Sequence, residues 1–215
     1  MRIVIAGGHG QIALLLSRQL TEGGHEPVGL IRNADHAAEV EAAGAQPVVF
    51  DLEAGVGADL AVAVSGAEAV VFAAGAGPGS GADRKLTVDR NAAIRLAEAA
   101  SIAGVSRYVM ISAMAADSFQ ADSEDVFQVY LKAKSEADAA IRSTGLDWTI
   151  VRPGGLTDEA GTGLITVGES TGRGSVPRAD VASVVAACLT QGLAVRRQFE
   201  LISGSTPIAD ALAAV

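Results

Sequence analysis

The sequence contains very little cysteine: Cys188 is the only one among 215 residues. A single cysteine cannot form a disulfide within the chain. The apolar run from Val184 to Leu189 that surrounds it predicts a small buried side chain rather than a reactive thiol. The three histidines, at positions 9, 25 and 36, lack the spacing of metal ligands, so no metal site is predicted.

Long apolar segments are also missing. No stretch reaches the roughly 20 apolar residues that a membrane-spanning helix needs. Glycines at positions 7, 8 and 10 interrupt the apolar run at the N-terminus, where a secretory signal would have to continue. Together with the single cysteine, these absences lead us to expect a soluble protein of a reducing compartment, the cytoplasm, with no membrane partner.

Positive charge is scarce as well. The chain has 16 lysines and arginines against 25 acidic residues, and its net charge is −9. This balance argues against a nucleic-acid-binding protein, which needs a basic surface, and against attraction to anionic membranes. An acidic chain can still bind a phosphate through a local patch, so the net charge does not argue against a phosphate-bearing ligand. The expected partner is a small-molecule substrate. The oligomeric state stays open, and a monomer is compatible with the sequence.

A glycine turn lies very close to the N-terminus. The run from Met1 to Ala6 predicts a strand, the apolar spacing from Ile12 to Leu20 predicts a helix, and a second strand follows and ends near residue 32. Between them, Gly8-x-Gly10-x-x-Ala13 matches the fingerprint of a dinucleotide-binding turn, in which backbone N–H groups and a helix N-terminus meet a phosphate. The predicted cofactor-binding residues of this turn are Gly7, His9, Gly10, Gln11 and Ile12.

Short apolar runs alternate with helical patterns along the rest of the chain. Strands are predicted at residues 47–50, 69–74, 108–112 and 148–151, with later signals at 164–167 and 199–202. Continuous apolar strands separated by helices indicate a parallel sheet covered on both faces. The predicted fold class is therefore α/β: a single Rossmann-type domain over residues 1–215, with a doubly wound parallel sheet, helices on both faces, and a small substrate-side extension after about residue 153.

The end of the second strand bears on the choice between cofactors. NAD-binding folds place an acidic residue about 20 positions after the glycines to hold the ribose hydroxyls, whereas an arginine there accommodates a 2′-phosphate. This chain has Arg32 and no acid at that strand end. Because a guanidinium can pair a phosphate through two parallel hydrogen bonds, the sequence favours NADP(H) over NAD(H). The alternative is an exposed arginine without a ligand.

Other strand ends supply further predicted cofactor contacts. The carboxyl ends of the strands in an open α/β sheet face one crevice, where ligands bind. The predicted contacts are Asp51 and Leu52 beside the adenine, Ala73, Ala74 and Gly75 beside the ribose, and Pro153 at the end of the sixth strand.

Tyr130 and Lys134 lie four residues apart in the helix predicted between the fifth and sixth strands, so they share one helix face. That helix would flank the nicotinamide of a bound cofactor. Because a nearby ammonium favours the phenolate, Lys134 is expected to lower the pKa of Tyr130 and make it an acid–base candidate. The alternative is an exposed helix with a half-buried tyrosine.

These motifs together resemble the short-chain dehydrogenase/reductase superfamily, in its atypical, NmrA-like and flavin-reductase-like branch. The resemblance covers the whole chain, and its most specific part is the run from Gly145 to Gly154. The other matching runs are Ile5–Ala13, Val88–Asn91, Tyr108–Ser112, Tyr130–Lys134 and Pro177–Ala182.

The resemblance implies a set of catalytic residues. Tyr130 would donate a proton, and Lys134 would bind the cofactor ribose. The family usually ends its fifth strand with two hydroxyl residues, the second of which commonly polarises the substrate carbonyl. Here the pair is Ser112-Ala113, a departure that leaves Ser112 as the candidate for that role.

The leading interpretation is an NADP(H)-dependent oxidoreductase acting on a small carbonyl, quinone or flavin-like acceptor. The alternative is a non-catalytic NAD(P)-binding sensor that reports redox state to a protein partner. A weaker alternative is an epimerase-type enzyme that keeps its cofactor. The short C-terminal part argues for a shallow, open substrate site and against large sugar-nucleotide substrates.

Overall fold

The computed structural model of the chain describes residues 1–55, 57–77 and 79–215. The strands are β1 (Arg2–Ala6), β2 (Glu26–Ile31), β3 (Gln46–Val49), β4 (Ala69–Phe72), β5 (Arg107–Ile111), β6 (Asp147–Pro153), β7 (Gly155–Thr157), β8 (Leu164–Gly168), β9 (Ser175–Pro177), β10 (Arg197–Ser203) and β11 (Thr206–Pro207). The helices are α1 (Gln11–Glu22), α2 (Ala37–Ala42), α3 (Gly57–Val64), α4 (Ala82–Arg84), α5 (Ala93–Ile102), α6 (Val126–Arg142), α7 (Arg178–Thr190) and α8 (Ile208–Ala213). A π-helical segment, Lys85–Ala92, joins α4 to α5, and 3₁₀ turns cover Ala34–His36 and Ala116–Ser118.

In the described part of the chain, nine strands form one sheet in the order β11-β8-β10-β6-β5-β4-β1-β2-β3. The seven strands from β10 to β3 are parallel, and β8 and β11 add antiparallel pairing at one edge. Helices cross between successive parallel strands, as parallel pairing requires. The predicted doubly wound parallel sheet is thus confirmed. The antiparallel edge was not predicted, because a short apolar run carries no sign of strand direction.

Both faces of this sheet are covered by helices. Successive side chains of a strand point to opposite faces. In β1, Ile3 and Ile5 pack in the core that includes α1 and α7, whereas Val4 and Ala6 pack in the core that includes α3 and α5. All four are fully buried. Burial on both faces explains why the strands are apolar at nearly every position.

The order of the strands reverses between β1 and β4. The chain runs outward from β1 to β3, returns to the centre at β4 and continues outward through β5 to β6. At such a reversal the loops that follow the two central strands lead to opposite sides, so a crevice opens at the carboxyl ends of the strands. The glycine turn after β1 and residues 73–75 after β4 border this crevice.

The part of the chain after Pro153 contributes to the sheet and to its cover. β10 pairs with β6, α7 packs against α1, and β7 pairs with β9 as a separate small sheet. The single domain and its substrate-side extension stay a prediction. Cys188 is buried in α7, as predicted, and this burial raises the pKa of its thiol to about 12. Among the described helices, none has the length and apolar character to cross a membrane.

Candidate cofactor-binding and active site

Two adjoining cavities open at the carboxyl ends of the parallel strands. The first, which we call the Arg32 cavity, has a volume of about 370 Å³ and lies over β1, β2 and β3. The second, the Tyr130 cavity, has a volume of about 700 Å³ and lies over β5, β6 and α6. Residues 73–76, after β4, line both, so the two cavities form one continuous crevice.

Most of the predicted site residues line one of these cavities. Gly7, His9, Gly10, Arg32, Asp51 and Leu52 line the Arg32 cavity. Ile12, Ser112, Tyr130, Lys134 and Pro153 line the Tyr130 cavity, and Ala73, Ala74 and Gly75 line both. Gln11 is exposed and is not among the residues that line these two cavities.

The glycines between β1 and α1 serve different purposes. Gly7 has φ +82°, and a Cβ on it would lie 2.6 Å from the Cα of Ala74, while a Cβ on Gly8 would lie 2.5 Å from the Cα of Gly29. These two glycines let the turn pack against β2 and against the loop that follows β4. Gly10 has φ −62° and ψ 148°, which any residue adopts, and its added Cβ would come closest to the Gly7 carbonyl oxygen, at 3.2 Å. A side chain at Gly10 would therefore occupy cavity space without forbidding the turn.

The first turn of α1 supplies backbone donors. Gly10 is its N-cap, and no side chain in the described part of the chain caps it. The first N–H groups of a helix lack intrahelical acceptors, and the helix dipole adds partial positive charge there, so this end suits a phosphate. The N–H groups of Gln11 and Ile12 belong to this turn, which explains how Gln11 could serve through its backbone while its side chain is exposed.

His9 stacks on a second histidine at the edge of the Arg32 cavity. Its ring lies 3.7 Å from that of His36, with 16° between the ring planes. The Nε2 of His9 is also 3.1 Å from a carboxylate oxygen of Glu39. Both histidines line the cavity, so His36 joins the candidate site although it was not among the predicted contact residues.

Arg32 has an acidic neighbour in the structure, although no acid stands at the end of its own strand. One carboxylate oxygen of Glu53 lies 3.4 Å from Nη1 of Arg32 and 2.8 Å from Nη2 of Arg84, and the other accepts a hydrogen bond from the Thr87 hydroxyl at 2.6 Å. The hydrogen bond from Arg84 is the main reason why the pKa of Glu53 lies below its ordinary value. The end of β2 itself carries no acid, as predicted, but Glu53 reaches Arg32 from the loop after β3.

Asp51 orients that loop. Its side chain accepts a hydrogen bond from the backbone N–H of Glu53 at 2.8 Å. From α5, Arg95 donates a hydrogen bond to the carbonyl oxygen of Glu53 at 3.2 Å. These two bonds hold the backbone of Glu53 from both sides, and Asp51 still borders the cavity where the adenine is predicted.

Tyr130 lies in the wall of the Tyr130 cavity between two ammonium groups. The Nζ of Lys85 is 5.5 Å and that of Lys134 is 5.9 Å from the centre of its ring. Burial raises the pKa of Tyr130 above its ordinary value; Lys134 opposes this, and the carboxylates of Asp89 and Asp138 add to it. The prediction that Tyr130 would have a lowered pKa was wrong in direction, because burial outweighs the one favourable charge.

The ammonium of Lys134 is engaged inside the protein. It donates a hydrogen bond to the Ile111 carbonyl at 3.1 Å and lies 3.4 Å from a carboxylate oxygen of Asp89. Asp89, in the π-helical segment, also accepts the N–H of Ala76 at 3.2 Å. Asp89 thus links Lys134 to the loop that follows β4, and its negative charge offsets the positive charge of Lys134.

Ser112 borders the Tyr130 cavity, but its proton is directed away from it. The hydroxyl donates to Oδ2 of Asp138 at 2.8 Å, and the guanidinium of Arg152 donates to the same oxygen. Burial raises the pKa of Asp138, against the opposing effect of Arg152. With its proton committed to Asp138, the Ser112 oxygen can accept a hydrogen bond from a molecule in the cavity but does not donate one in this arrangement.

Sequence reasoning had not identified Glu53, Arg84, Asp89 or Asp138. A signal for Asp138 was available, because Tyr130, Lys134 and Asp138 follow one another at intervals of four and therefore share one helix face. The other three lie in segments distant along the chain from the predicted residue they join. Glu53 joins Arg32, Arg84 joins it through Glu53, and Asp89 joins Lys134.

Comparison with known proteins identifies the family of the chain. The profile of the family described as NAD(P)H-binding matches residues 7–192, which is most of the chain. The chain belongs to the NAD(P)H-binding family. This match confirms the resemblance to NmrA-like short-chain dehydrogenases/reductases that the motifs carry.

Relatives of this NAD(P)H-binding protein include named oxidoreductases and epimerases. It is 38% identical over 213 residues to YhfK of Bacillus subtilis, named an uncharacterized sugar epimerase, with 99% of both chains covered. A Bacillus halodurans structure, provisionally named an NAD-dependent epimerase/dehydratase, has a TM-score of 0.90 at 35% identity over the whole of both chains. The oxidoreductase YlbE from Lactococcus lactis has a TM-score of 0.87 at 26% identity and covers 100% of this chain and 96% of that one.

Proposed function

We propose that the protein is an NADP(H)-dependent oxidoreductase that reduces a small carbonyl, quinone or flavin-like acceptor in the cytoplasm. The observation that carries this proposal is the continuity of the two cavities. A crevice suited to a dinucleotide leads directly to a tyrosine and a lysine on one helix face. When bound, the cofactor would supply a hydride; the protein's own residues would bind it, orient it and provide the proton.

The residues of the crevice fit a dinucleotide. The uncapped N-terminus of α1 offers backbone donors for the pyrophosphate. Gly10 leaves open the space that a Cβ would fill, and the small residues after β4 permit close approach of a ribose. Arg32 and Arg84 stand at the adenosine end, where their guanidinium groups suit a 2′-phosphate, and this supports NADP(H) over NAD(H).

The rim of the Tyr130 cavity favours a flat, apolar acceptor. Val126, Phe127 and Leu156 line this cavity and are 41%, 59% and 39% exposed, so together they give its rim an apolar surface. The ring of Phe127 lies 6.0 Å from that of Tyr130. Quinone and flavin rings could cover these side chains and remove apolar surface from water, whereas a sugar would gain little from them.

Tyr130 is the proposed proton donor. Burial raises its pKa above the ordinary value, so the phenol carries its proton at neutral pH and has one to donate to a developing negative oxygen. Ser112 would not share this task, since its own proton is held by Asp138. The substrate oxygen would then depend on Tyr130 alone among the predicted Ser-Tyr-Lys set. The same feature favours the alternative function, a non-catalytic redox sensor, because an incomplete set is compatible with binding without turnover.

One experiment separates these functions. Purified protein is mixed with NADPH and, in turn, with quinones, flavins and aldehydes, and oxidation of the nicotinamide is followed by its absorbance. Turnover with a quinone or flavin supports the proposal. Tight cofactor binding without oxidation by any acceptor class would favour the sensor, and conversion of a sugar without net cofactor oxidation would favour the epimerase.

A further inference from the structure

We infer that Glu53 is an internal counter-ion that controls the preference for NADP(H): its carboxylate occupies the two guanidinium groups, Arg32 and Arg84, to which a cofactor 2′-phosphate would bind, and it must release them when that phosphate arrives. This inference rests on the proposed dinucleotide site and assigns Arg84 and Glu53 to its adenosine end.

The three side chains meet from three separate parts of the fold. Arg32 follows β2, Glu53 lies in the loop after β3, and Arg84 ends α4. A single oxygen of Glu53 is shared by both guanidinium groups, at 3.4 Å from Arg32 and 2.8 Å from Arg84. All three line the Arg32 cavity. The arrangement is therefore a two-arginine anion site that already holds an anion belonging to the protein.

Glu53 is held in place while its partners are comparatively free. The backbone of Glu53 is fixed by hydrogen bonds from Arg95 and to Asp51, and its second carboxylate oxygen accepts the hydroxyl of Thr87. Its side chain is 26% exposed, against 59% for Arg32 and 39% for Arg84. The arginines can turn towards a ligand more readily than the carboxylate can leave, so a bound phosphate would remain near a negative charge.

The charges of the cluster determine the sign of the effect. Two guanidinium groups and one carboxylate leave a net charge of one positive unit. A 2′-phosphate gains attraction from both arginines but is repelled by Glu53, because like charges at close range oppose binding. The ribose 2′-hydroxyl of NAD(H) carries no charge and meets no such repulsion. Glu53 thus moderates a preference that the arginines create.

The test is a titration of NADPH and NADH into wild type and Glu53→Gln, with affinity read by calorimetry. Glutamine keeps the shape, its oxygen can still accept from Arg84, and its NH2 group can donate to the Thr87 hydroxyl oxygen, so the change removes the negative charge while these contacts stay paired. We expect the Kd for NADPH to fall about tenfold, equivalent to about 1.4 kcal/mol, while that for NADH changes by less than about threefold. Arg84→Ala should raise the Kd for NADPH about tenfold and leave NADH within the same limit.

Matched controls exclude a general effect of charge. Glu98→Gln removes the same charge from an exposed position on α5, and Arg18→Ala removes an exposed arginine from α1; neither should change the ratio of the two affinities. An unchanged or higher Kd for NADPH in Glu53→Gln would overturn the inference. A large loss of NADH affinity would also overturn it, because Glu53 would then be a ribose ligand. If wild type binds neither cofactor, the proposed function itself fails, which is a different result from an unaltered ratio.

Discussion

The Arg32 cavity and the Tyr130 cavity hold their charged groups in opposite ways. In the Arg32 cavity, the side chains of Arg32 and Arg84 are 59% and 39% exposed. In the Tyr130 cavity, those of Lys134 and Asp89 are 4% and 2% exposed. Water screens the charges of Arg32 and Arg84, so these side chains can exchange one partner for another. Lys134 and Asp89 are buried, where the loss of either partner is costly. A ligand can rearrange one site, and the geometry of the other exists before the ligand arrives.

This difference matches the two tasks that we propose for the cavities, recognition of a charged group and proton transfer. Recognition of a charged group needs only that the final contacts be better than the initial ones, so exchangeable ion pairs serve well. A proton transfer needs donor and acceptor within hydrogen-bond distance at the moment of reaction, and fixed surroundings avoid the cost of arranging them then. The buried network around Tyr130 is suited to the second task.

The largest effect is expected from removal of the proposed proton donor. Tyr130→Phe should lower turnover about 10²- to 10⁴-fold, the usual range for a positioned acid, and leave cofactor affinity nearly unchanged. Because burial raises the pKa of Tyr130, the wild-type rate should not fall near neutral pH through this group; it should decline only above the ordinary tyrosine range near 10, as the phenol loses its proton.

A matched variant controls for loss of a hydroxyl. Tyr108→Phe removes the other tyrosine hydroxyl of the chain, which donates to the Ala93 carbonyl in the core and borders neither cavity. It should cost stability but not turnover of the folded protein. A fully active Tyr130→Phe would move the proton source to solvent and show that the buried network is structural.

The next effect concerns the stability that the buried network confers. Asp138 is fully buried and Asp117 is 54% exposed, yet both bind the guanidinium of Arg152. Asp138→Ala should destabilise the fold by about 3 kcal/mol, the lower end of the range for breaking a buried pair, since Arg152 keeps its second partner. Asp117→Ala should cost at most about 1 kcal/mol, as for exposed pairs. Urea unfolding of both variants measures this, and equal losses would contradict the contrast between buried and exposed charge.

A slightly smaller effect is expected at the glycine turn that borders the Arg32 cavity. Gly10→Val should weaken dinucleotide binding at least about a hundredfold, or about 2.7 kcal/mol, because its side chain would fill the space beside the helix N-terminus. The fold should survive, since Gly10 has an ordinary backbone conformation. Gly8→Val should instead fail to fold, because its Cβ would overlap β2. Unchanged affinity in a folded Gly10→Val, checked by circular dichroism, would remove the phosphate from this turn.

The fold could be predicted because its signals are local. Each parallel strand is a short apolar run bounded by a helix pattern, and the glycine turn stands next to the strand and helix it joins. The pairing of β8 with β10 could not be predicted, because the direction of a strand depends on which neighbour it meets. The π-helical segment around Asp89 was likewise hidden within an ordinary helical pattern.

The candidate site shows the same limit: features within one segment could be predicted, and contacts between segments could not. The glycine turn, Arg32 and the Tyr130–Lys134 pair were predicted from spacing within single segments. Glu53 was not, because a carboxylate about 20 residues beyond Arg32 approaches it only when β2 and β3 lie side by side. The direction of the Tyr130 pKa was missed for a related reason: spacing reveals the neighbouring ammonium, but burial is a property of the assembled protein.

The smallest effect is expected at the most exposed charge. We expect wild type to bind NADPH about ten- to a hundredfold more tightly than NADH, and Arg32→Ala to reduce that preference about tenfold, the lower end for a charge-assisted hydrogen bond. The lower end applies because Arg32 is well exposed and shares Glu53 with Arg84. Added salt should weaken the preference in wild type more than in Arg32→Ala, since screening acts on the charge that the variant lacks. A preference that survives intact in Arg32→Ala would leave Arg84 as the phosphate-binding residue and Arg32 as a surface arginine paired with Glu53.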